Sequence, residues 1–559
     1  MEFIREALTV GQLVCLVAIL NGCGSSSSSS NTTGAAAAGT DAVTSSVSSP
    51  PAVATTPAVA TTPPAAAPPP PQALAIADAS PPSNAATVVA TNSGDACLPI
   101  TMPTRDVLFS SSKRVFAHYF YPFPVSMDNR PPARDYYNVQ YLNKEGESSK
   151  WSAQGGYLRQ RPMAVNASSD PHWKQLNMQH EVTTAIARGI TGFAFDVMST
   201  DQATNAGSQL QLMLKAAQAV DSRFKIMVMP DLTTLGSNAD AVVQIIESVA
   251  KNPAAYKLAD GRLVVSAFAA NVNSPVWWLA VLNRLKAAGI NVAFVPTFLG
   301  WTQFADLYQS ISYGYGDWGT ATAHASSLLE DDPSIAHGTF DKIFMMPVES
   351  QQFRPKNFQF WEAGNSASFR TGWNNAITGK ADWVQLVTWN DYSESGQVSP
   401  YTDITLNRSI GTGYYDLNGY FATWFLTGHA PTVTHDVMYY FYRREPSNAN
   451  AIRQSQGDHA TGDAAQNNIE LLAFLTAPGE LKISVGGKTF THSATAAGMV
   501  SFKVPTLPGI PLFTLSRSGK DVFSFAGGVQ IYGLNGLPSG VADMTYWSGS
   551  AAKSGVCSL

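Results

Sequence analysis

Short apolar runs recur along the middle of the chain, and most are followed by a segment with the periodicity of a helix. The runs are rich in β-branched and aromatic residues, which favours strands. Several are apolar throughout, as expected of parallel strands covered on both faces. The eight runs lie at 114–120, 190–198, 224–232, 262–269, 291–298, 310–318, 342–350 and 383–392. Helical patterns lie at 173–188, 205–220, 239–251, 276–288 and 415–427.

This repetition predicts an α/β fold, a (β/α)8 TIM barrel, because eight strand-then-helix units in about 320 residues match that architecture. A doubly wound sheet is the competing interpretation, and it would carry a phosphate-binding glycine loop after its first strand. The GxGxxG pattern of this chain lies at Gly314–Gly319, after the sixth run. There Asp317 would repel a phosphate and Trp318 would crowd it, which argues against dinucleotide binding.

The pattern changes from about Asn467 onwards to short strands broken by Gly, Pro and Asn turns. That pattern is typical of an all-β sandwich. We therefore predict the barrel over 97–440 and a C-terminal β-sandwich domain over 441–559. The sandwich is either a binding module or a structural cap packed on the barrel, and the sequence leaves both open.

The N-terminal 22 residues are typical of an export signal, because their apolar stretch at 7–20 is too short to cross a membrane as a helix. The segment Leu20-Asn21-Gly22-Cys23 resembles a bacterial lipobox, in which the cysteine is acylated. A plain secretory signal is the alternative. We predict an exported protein, either a bacterial outer-membrane or cell-surface lipoprotein or a secreted one, that contacts a membrane only through a lipid on Cys23.

Residues 23–96 are predicted to be a disordered tether. They are dominated by Ser, Ala, Thr and Pro, and their charged residues are three aspartates. Such a composition buries too little apolar surface to offset the entropy lost on ordering. The segment would hold a globular body away from a surface.

Composition narrows the classes of partner. Of the 559 residues 45% are hydrophobic and 13% are charged, which excludes a chain disordered throughout. The net charge of −5 argues against a non-specific nucleic-acid binder. The signal accounts for −1 of it and the tether for −3, so the body carries −1. A nearly uncharged body suits an uncharged ligand.

The cysteines predict one disulfide. Cys15 and Cys23 lie in the signal, whereas Cys97 and Cys557 lie at the two ends of the body. An isolated pair in an exported protein is expected to form a disulfide. The chain has no CxxC pair and its nine histidines are scattered, so we predict neither a metal site nor a cofactor.

The candidate chemistry lies where the predicted strands end, because barrel enzymes build their sites at that mouth. Carboxylates, amides and aromatic residues collect there, and Lys and Arg are nearly absent. This set suits a carbohydrate, whose hydroxyls bond to Asp and Asn and whose C–H faces cover aromatic rings, whereas a phosphorylated substrate would need Arg or Lys. The positions are His118, Tyr119, Asp196, Asp231, Asn271, Thr297, Asp317, Trp318, Glu349, Trp389, Asn390, Asp391, Tyr392 and Glu394.

Glycoside hydrolysis needs two carboxyl groups on either side of one bond. Asp391 and Glu394 in TWNDYSES at 388–395 are three residues apart, just past the last predicted strand. The alternative is that Asp391 caps a helix and Glu394 is its capping-box partner. Asp196, Asp231 and Glu349 are rival partners, and the residues alone leave these interpretations open.

Several stretches of the body resemble one enzyme family, glycoside hydrolase family 71, the endo-α-1,3-glucanases or mutanases. The resemblance covers about 113–530 and implies a barrel with a β-sandwich, with inverting hydrolysis of α-1,3-glucan. It implies Asp391 and Glu394 as the acid and base, and His118, Asp196, Asp231 and Trp318 as residues lining the subsites. The stretches are VFAHYF at 115–120, GITGFAFDV at 189–197, FKIMVMPDL at 224–232, NPAAYKLADGRLVVSAF at 252–268, GDWG around 317–318, MMPVES at 345–350, TWNDYSES at 388–395 and PTVTHDVMYYFYRR at 431–444.

The sequence departs from the family's pattern in loops that shape the mouth. Ser393 stands where the family commonly has Gly, Gly396-Gln397-Val398 replaces a His-containing stretch, and 121–142 differs after the first strand. We predict an exported hydrolase that cleaves internal linkages of a neutral α-glucan, α-1,3-glucan above all, and acts as a monomer on a polysaccharide. The alternatives are a surface carbohydrate-binding lipoprotein without activity, or a related barrel endo-glycosidase of different linkage specificity.

Overall fold

The structure, a computed structural model, describes residues 96–403, 408–449, 459–537 and 543–557. All of these residues belong to one compact unit. The predicted export signal, Cys23 and the tether up to residue 95 lie outside the described residues.

Eight parallel strands form a closed barrel, as the repeated apolar runs predict. Each strand is hydrogen-bonded to its neighbours along the chain, and β8 closes the barrel against β1 in parallel register. The strands are β1 (Arg114–Tyr119), β2 (Gly192–Val197), β3 (Lys225–Pro230), β4 (Leu263–Ala267), β5 (Val292–Phe298), β6 (Gly314–Asp317), β7 (Ile343–Glu349) and β8 (Trp383–Val387). The prediction of a (β/α)8 barrel is confirmed.

Helices surround the barrel, and the residues at their ends favour the start or the end of a helix at that point. The helix Pro275–Ala287 shows why: Ser274 accepts a hydrogen bond from the backbone N–H of Trp277 at 3.3 Å, and Pro275 stands in the first turn. The helices are α1 (Arg105–Ser110), α2 (Trp173–Ile186), α3 (Gln209–Val220), α4 (Leu232–Leu235), α5 (Ala239–Ala250), α6 (Pro275–Ala287), α7 (Ala305–Tyr308), α8 (Ala323–Ser327), α9 (Asp332–Phe340), α10 (Ala367–Thr378) and α11 (Gly413–Thr427).

Further along the described chain, two antiparallel sheets pack face to face. Their strand order is β13-β10-β9-β16-β17 in one sheet and β12-β11-β14-β15 in the other. Leu471, Ile483 and Phe513 from the two sheets share one apolar core. The strands are β9 (Val437–Arg443), β10 (Asn468–Leu475), β11 (Gly479–Val485), β12 (Lys488–Ala494), β13 (Gly498–Pro505), β14 (Leu512–Arg517), β15 (Lys520–Ala526), β16 (Tyr546–Ala552) and β17 (Gly555–Val556). The predicted β-sandwich is therefore present.

The sandwich packs directly on the barrel through α11. The ring of Tyr414 lies 4.8 Å from that of Phe441 on β9, and the ring of Tyr420 lies 4.7 Å from that of Phe474 on β10. The outer face of β9 thus joins the same apolar core as the barrel helices. The border predicted at residue 440 falls inside β9, which ties the two parts together.

The two ends of the body are joined by the predicted Cys97–Cys557 disulfide, whose Cα atoms lie 5.7 Å apart. Among the described residues, no helix is both long enough and apolar enough to cross a membrane. Loops between the main elements form two small three-stranded sheets. Their strands are Arg161–Pro162, Gln352–Arg354, Gln359–Trp361, Tyr401–Asp403, Arg408–Ile410 and His459–Thr461.

Candidate active site

The alternation of side chains along each barrel strand decides which strand-end residues face the interior. In β1, Phe116 belongs to the cluster inside the barrel, whereas Ala117 belongs to the layer between strands and helices. His118 therefore continues the inner face, and Tyr119 continues the outer one. The same rule applies to the neighbouring strands and selects the residues that can meet a substrate.

Three strands lead into buried carboxyl groups at the mouth: Asp196 on β2, Asp231 after β3 and Glu349 on β7. Within the described residues, no side chain donates a hydrogen bond to either carboxyl oxygen of Asp196. Asp231 Oδ1 accepts from the backbone N–H of Thr233 at 2.7 Å and from its hydroxyl at 2.6 Å. Burial raises the pKa of all three carboxyls, and the charges of Asp231 and Asp391 raise that of Asp196 further.

His118 and Trp318 meet at the floor of the mouth. Their rings make an edge contact at 4.8 Å, and Phe268 packs on Trp318 at 4.5 Å. Burial lowers the pKa of His118 to about 3, so its ring is neutral. Asp317 Oδ1 accepts from the backbone N–H groups of Gly300 and Trp318, both at 2.9 Å, and burial raises its pKa to about 6. These contacts fix the half-buried Trp318 ring beside the buried carboxyls.

Asp391 lies in a tight turn just past β8 and is buried. Its Oδ1 accepts from the backbone N–H of Ser393 at 2.9 Å, from the Ser393 hydroxyl at 2.7 Å and from the backbone N–H of Glu394 at 3.2 Å. Burial raises the pKa of Asp391 to about 7, and the neighbouring charge of Glu394 adds to the rise. Asp391 is therefore a carboxyl group able to carry a proton near neutral pH.

Glu394 stands in a different environment, with 22% of its side chain exposed. Its Oε2 accepts from Gln352 Nε2 at 2.6 Å and from Arg354 Nη2 at 2.9 Å. Both donors come from the short strand Gln352–Arg354 that follows β7. Glu394 is thus one half of an ion pair, and its neighbour Asp391 has no such cation at hydrogen-bond distance within the described part of the chain.

The capping-box interpretation holds for one residue of the pair only. Asp391 does cap its turn, since it accepts the N–H groups two and three residues on. Glu394 does not return the contact, because the backbone N–H of Asp391 donates to Thr388 Oγ1 at 2.8 Å and the Glu394 carboxyl turns to Arg354. The Glu394 carboxyl therefore bonds to the short strand after β7 and does not cap the turn.

Two predicted substrate contacts lie behind the barrel wall and are not brought to the mouth. Tyr119 donates to Glu181 Oε2 at 2.9 Å, and Trp389 Nε1 donates to Glu181 Oε1 at 3.4 Å. All three side chains are buried between β1, β8 and α2. Burial raises the pKa of Glu181 to about 8. This polar cluster inside the helix layer was not predicted from the sequence.

Asn390 and Tyr392 also serve the scaffold. The Asn390 side chain accepts from the backbone N–H of Phe120 at 2.7 Å and donates to the carbonyls of Phe120 and Phe123 at 3.0 and 2.9 Å. The Tyr392 hydroxyl lies 2.9 Å from that of Ser399. Asn390 and Tyr392 thus hold the loops beside the turn, whereas the carboxyl groups of Asp391 and Glu394 lie close enough to act on each other electrostatically.

Basic residues reach the mouth from a loop that lies beyond the predicted strand ends. The expectation of a mouth nearly without Lys and Arg is wrong, because Arg354 pairs with Glu394 and both Arg354 and Lys356 act electrostatically on Asp391. Arg354 also lies over the ring of Trp361 at 4.9 Å. The loop follows the predicted strand 342–350, so reasoning from strand ends stopped a few residues short of it.

The long connection between β1 and α2 brings a second unpredicted group. Burial raises the pKa of Tyr157, and Tyr157 lies close enough to Asp391 and Glu394 for their charges to raise that pKa further. Its ring stacks on Trp151 at 4.8 Å. Aromatic residues spaced irregularly in a long loop carry no periodic signal, so these positions could not be singled out from the sequence.

The arrangement offers acid–base chemistry by two neighbouring carboxyl groups of unlike environment. Around them lie the additional buried carboxyls of Asp196, Asp231 and Glu349 and the aromatic floor of Trp318. Within the residues that the structure describes, no three His, Cys, Asp or Glu side chains are grouped so that they could hold a metal ion.

Known proteins with similar sequences include two that are named as endo-1,3-alpha-glucan hydrolases and one that is named a mutanase. The chain is 25% identical over 384 residues to glucan endo-1,3-alpha-glucosidase agn1 of Schizosaccharomyces pombe, covering 64% of this chain and 89% of that protein. It is 24% identical over 411 residues to the ascus wall endo-1,3-alpha-glucanase of the same yeast, covering 66% and 92%. A mutanase of Penicillium rubens is 25% identical over 382 residues, covering 64% and 81%.

Among solved structures, the GH99 endo-alpha-mannosidase of Bacteroides thetaiotaomicron is similar, with a TM-score of 0.42, 14% identity and coverage of 56% of this chain and 98% of that one. The sequence model of glycosyl hydrolase family 71 matches residues 163–559. That match spans well over half of the sequence and includes the Asp391–Glu394 turn. The chain therefore belongs to glycosyl hydrolase family 71 and is a glycoside hydrolase.

Proposed function

We propose that the protein is an exported endo-acting hydrolase of α-1,3-linked glucan that inverts the anomeric configuration. The observation that carries this proposal is the pair of Asp391, buried with a raised pKa, and Glu394, held in an ion pair three residues later. The names of the two yeast relatives support the linkage, and a nearly uncharged body suits a neutral polymer. Asp196, Asp231, Glu349 and Trp318 would bind the sugar units.

Asp391 is the proton donor and Glu394 the base in this proposal. A general acid has to hold its proton near neutral pH, and burial raises the pKa of Asp391 to about 7. Glu394 is paired with Arg354 and accepts a second hydrogen bond from Gln352, which suits a carboxylate. The two neighbouring carboxyl groups thus differ in environment in the way that a single-displacement hydrolase requires.

The reaction then follows in one step. Asp391 gives its proton to the glycosidic oxygen while the bond from that oxygen to the anomeric carbon breaks, and the bonding pair goes to the oxygen. Glu394 takes a proton from a water molecule, whose oxygen bonds to the anomeric carbon from the opposite face. The new reducing end has inverted configuration, and proton exchange with solvent restores both carboxyl groups.

A panel of defined polysaccharides tests the substrate. The purified protein is incubated with α-1,3-, α-1,4- and β-1,3-glucans and with an α-mannan, and released reducing ends are measured. Release from α-1,3-glucan alone, as a mixture of oligosaccharides, supports the proposal, while binding without release or cleavage of another linkage contradicts it. NMR of the first-formed anomer tests inversion: β-anomers are expected, and α-anomers would overturn the single-displacement mechanism.

Substrates with an activated leaving group test the roles of the two carboxyls. An α-1,3-linked oligoglucosyl fluoride needs no proton donor, so Asp391→Asn should retain far more activity on it than on the glucan. Glu394→Ala should lose both activities, and azide should restore turnover by replacing the water. The opposite pattern would exchange the assignments of acid and base.

Export and a lipid anchor are part of the proposal because the N-terminus resembles an export signal. The Cys97–Cys557 disulfide also favours export, since disulfides persist in oxidising compartments. Mass spectrometry of the protein from its native membrane and medium fractions identifies the mature N-terminus. A diacylated Cys23 supports the lipoprotein, a start beyond Cys23 contradicts the anchor and leaves secretion, and a start at Met1 contradicts export.

A further inference from the structure

Glu394 is held by a short hairpin that follows β7, which we call the Arg354 hairpin and which comprises residues 352–361. Its two strands are antiparallel. Gln352 Nε2 and Arg354 Nη2 donate to Glu394 Oε2 at 2.6 and 2.9 Å, and the backbone N–H of Phe353 donates to the Glu394 carbonyl at 2.8 Å. The position of the proposed base therefore depends on the position of this hairpin.

The start of the hairpin is fixed to the β-sandwich by the side chain of Gln351. Its Oε1 accepts from the backbone N–H of Tyr546 at 2.6 Å, and its Nε2 donates to the Tyr546 carbonyl at 3.1 Å. Tyr546 is the first residue of β16, so both partners belong to the sandwich. Gln351 is buried and immediately precedes the hairpin, so these two hydrogen bonds restrict the movement of its first strand.

The end of the hairpin is fixed by a buried ion pair with the sandwich. Glu362 directly follows the second strand, and its Oε2 accepts from Arg443 Nη1 of β9 at 2.8 Å. The Tyr546 hydroxyl donates to Glu362 Oε1 at 2.5 Å. The side chains of Glu362 and Arg443 are 0% and 2% exposed. Separating two charges so deeply buried is costly, so the ion pair holds this end of the hairpin in place.

Apolar packing joins the hairpin to the sandwich between these two contacts. Phe353 and Phe360 are paired across the hairpin, and they share one buried cluster with Ala449 and Met544. Ala449 follows β9 and Met544 precedes β16, so both belong to the C-terminal part of the chain. The Arg443 guanidinium also lies over the Phe360 ring at 4.8 Å. The sandwich thus contacts the hairpin at its start, in its middle and at its end.

We infer that the β-sandwich takes part in catalysis by holding the Arg354 hairpin where it pairs with Glu394, and that Gln351, Glu362, Arg443 and Tyr546 are the positioning residues. This inference rests on the proposed role of Glu394 as the base. The four side chains are buried, so they would act through the hairpin and not on the substrate. A binding module would instead change KM, and a structural cap would change stability without changing the kcat of the folded enzyme.

A double-mutant cycle with Arg354 tests this role. Gln351→Met removes both bonds to the Tyr546 backbone, and Tyr546→Phe removes the hydroxyl that bonds to Glu362. On soluble α-1,3-linked oligosaccharides we expect kcat to fall about 10-fold and about 3-fold, respectively, with KM changed less than about 3-fold. In the Arg354→Met background these falls should shrink to about 2-fold and to no detectable change, because the cation that the sandwich positions is already gone.

Ser550→Ala is the matched control. It removes another buried hydroxyl of β16, one that donates to Asp416 of α11 at 2.6 Å, and so weakens a contact between sandwich and barrel that does not involve the hairpin. Its kcat should stay within about 1.5-fold of wild type. Thermal melts give the folded fraction of every variant, and the Tyr546→Phe cycle decides alone if Gln351→Met does not fold.

Three results would overturn the inference: equal falls in kcat with and without Arg354, unchanged kcat in Gln351→Met and Tyr546→Phe, or wild-type kcat in Arg354→Met. A fall in Ser550→Ala as large as that in Tyr546→Phe would also do so, because loss of stability would then explain both. A fully active Glu394→Gln would contradict the proposed function itself. An inactive Glu394→Gln together with equal falls in the two backgrounds rejects the role of the sandwich alone.

Discussion

Arg354 donates from Nη2 to Glu394 Oε2 at 2.9 Å and so joins a loop after β7 to the turn after β8. The backbone supports the same contact, because the N–H of Phe353 donates to the carbonyl of Glu394 at 2.8 Å. The guanidinium lies near Asp391 and Glu349 as well and lowers the pKa of both, against the larger effect of burial. The Arg354 side chain thus stands among three acids at the mouth.

Removing that cation should slow catalysis and shift its pH dependence. In Arg354→Met the pKa of Asp391 is expected to rise, since a positive charge beside it is lost, and Glu394 loses its fixed partner. We expect kcat to fall by about 10²-fold and the basic limb to move to higher pH. Arg354→Lys keeps the charge but not the fork geometry and should fall in between. A Met variant with wild-type kcat and limbs would refute this role of Arg354.

Removing either proposed catalytic carboxyl should abolish hydrolysis without unfolding the protein. Asp391→Asn and Glu394→Gln preserve side-chain shape, and we expect residual rates on α-1,3-glucan at least about 10³-fold below wild type. Asp306→Asn is the matched control, because it makes the same acid-to-amide change on the exposed face of α7 in the outer helix layer. That variant should keep the wild-type rate.

The thermal melts of these variants should stay within a few degrees of wild type. Retention of the wild-type rate in both Asp391→Asn and Glu394→Gln would show that the catalytic pair lies elsewhere, with Asp196, Asp231 and Glu349 as the remaining candidates.

The raised pKa of Asp391 also predicts how stability depends on pH. The pKa of Asp391 is about 7 in the folded state and near 4 in the unfolded state. A carboxyl group with a raised pKa contributes its full stabilisation below the unfolded pKa, and this contribution is lost as the pH rises through the folded pKa. Asp391→Asn should therefore stabilise the protein by about 1–3 kcal/mol at pH 8 and hardly at all near pH 4. Melting temperatures of both proteins across this range test the sign, and a gain that is largest at low pH would contradict it.

The sequence predicted the barrel because each strand is a compact apolar run, but the pattern overestimated the length of the last strand. The run 383–392 was expected to be a strand, whereas β8 ends at Val387. The chain leaves the sheet there because Thr388 N–H donates to the carbonyl of Gly396 at 2.9 Å and closes a turn around Asp391. Polar side chains that bond to their own backbone compete with the strand ladder, and the pattern of apolar residues does not report on that competition.

The site was harder to predict than the fold, for two physical reasons. Consecutive side chains of a strand, such as His118 and Tyr119, point to opposite faces of the sheet, and a list of strand-end residues ignores this alternation. Long-range contacts such as that of Arg354 with Glu394 depend on how loops cross the mouth. The pair Asp391 and Glu394 could be singled out because both residues lie on one short turn next to a strand end.

The Cys97–Cys557 disulfide should contribute much of the stability of the body and little to catalysis. It closes a loop of 460 residues, and a cross-link over so long a loop removes much entropy from the unfolded chain. We expect the double variant Cys97→Ser/Cys557→Ser to lose on the order of 3–5 kcal/mol of unfolding free energy. Because the bond joins the two ends of the body, kcat at about 25 °C should stay within about 2-fold of wild type. Denaturant unfolding with and without reductant measures this loss of stability. Reductant should destabilise the wild type and leave the stability of the double variant unchanged. Equal stability of the two proteins without reductant would refute the contribution of the disulfide.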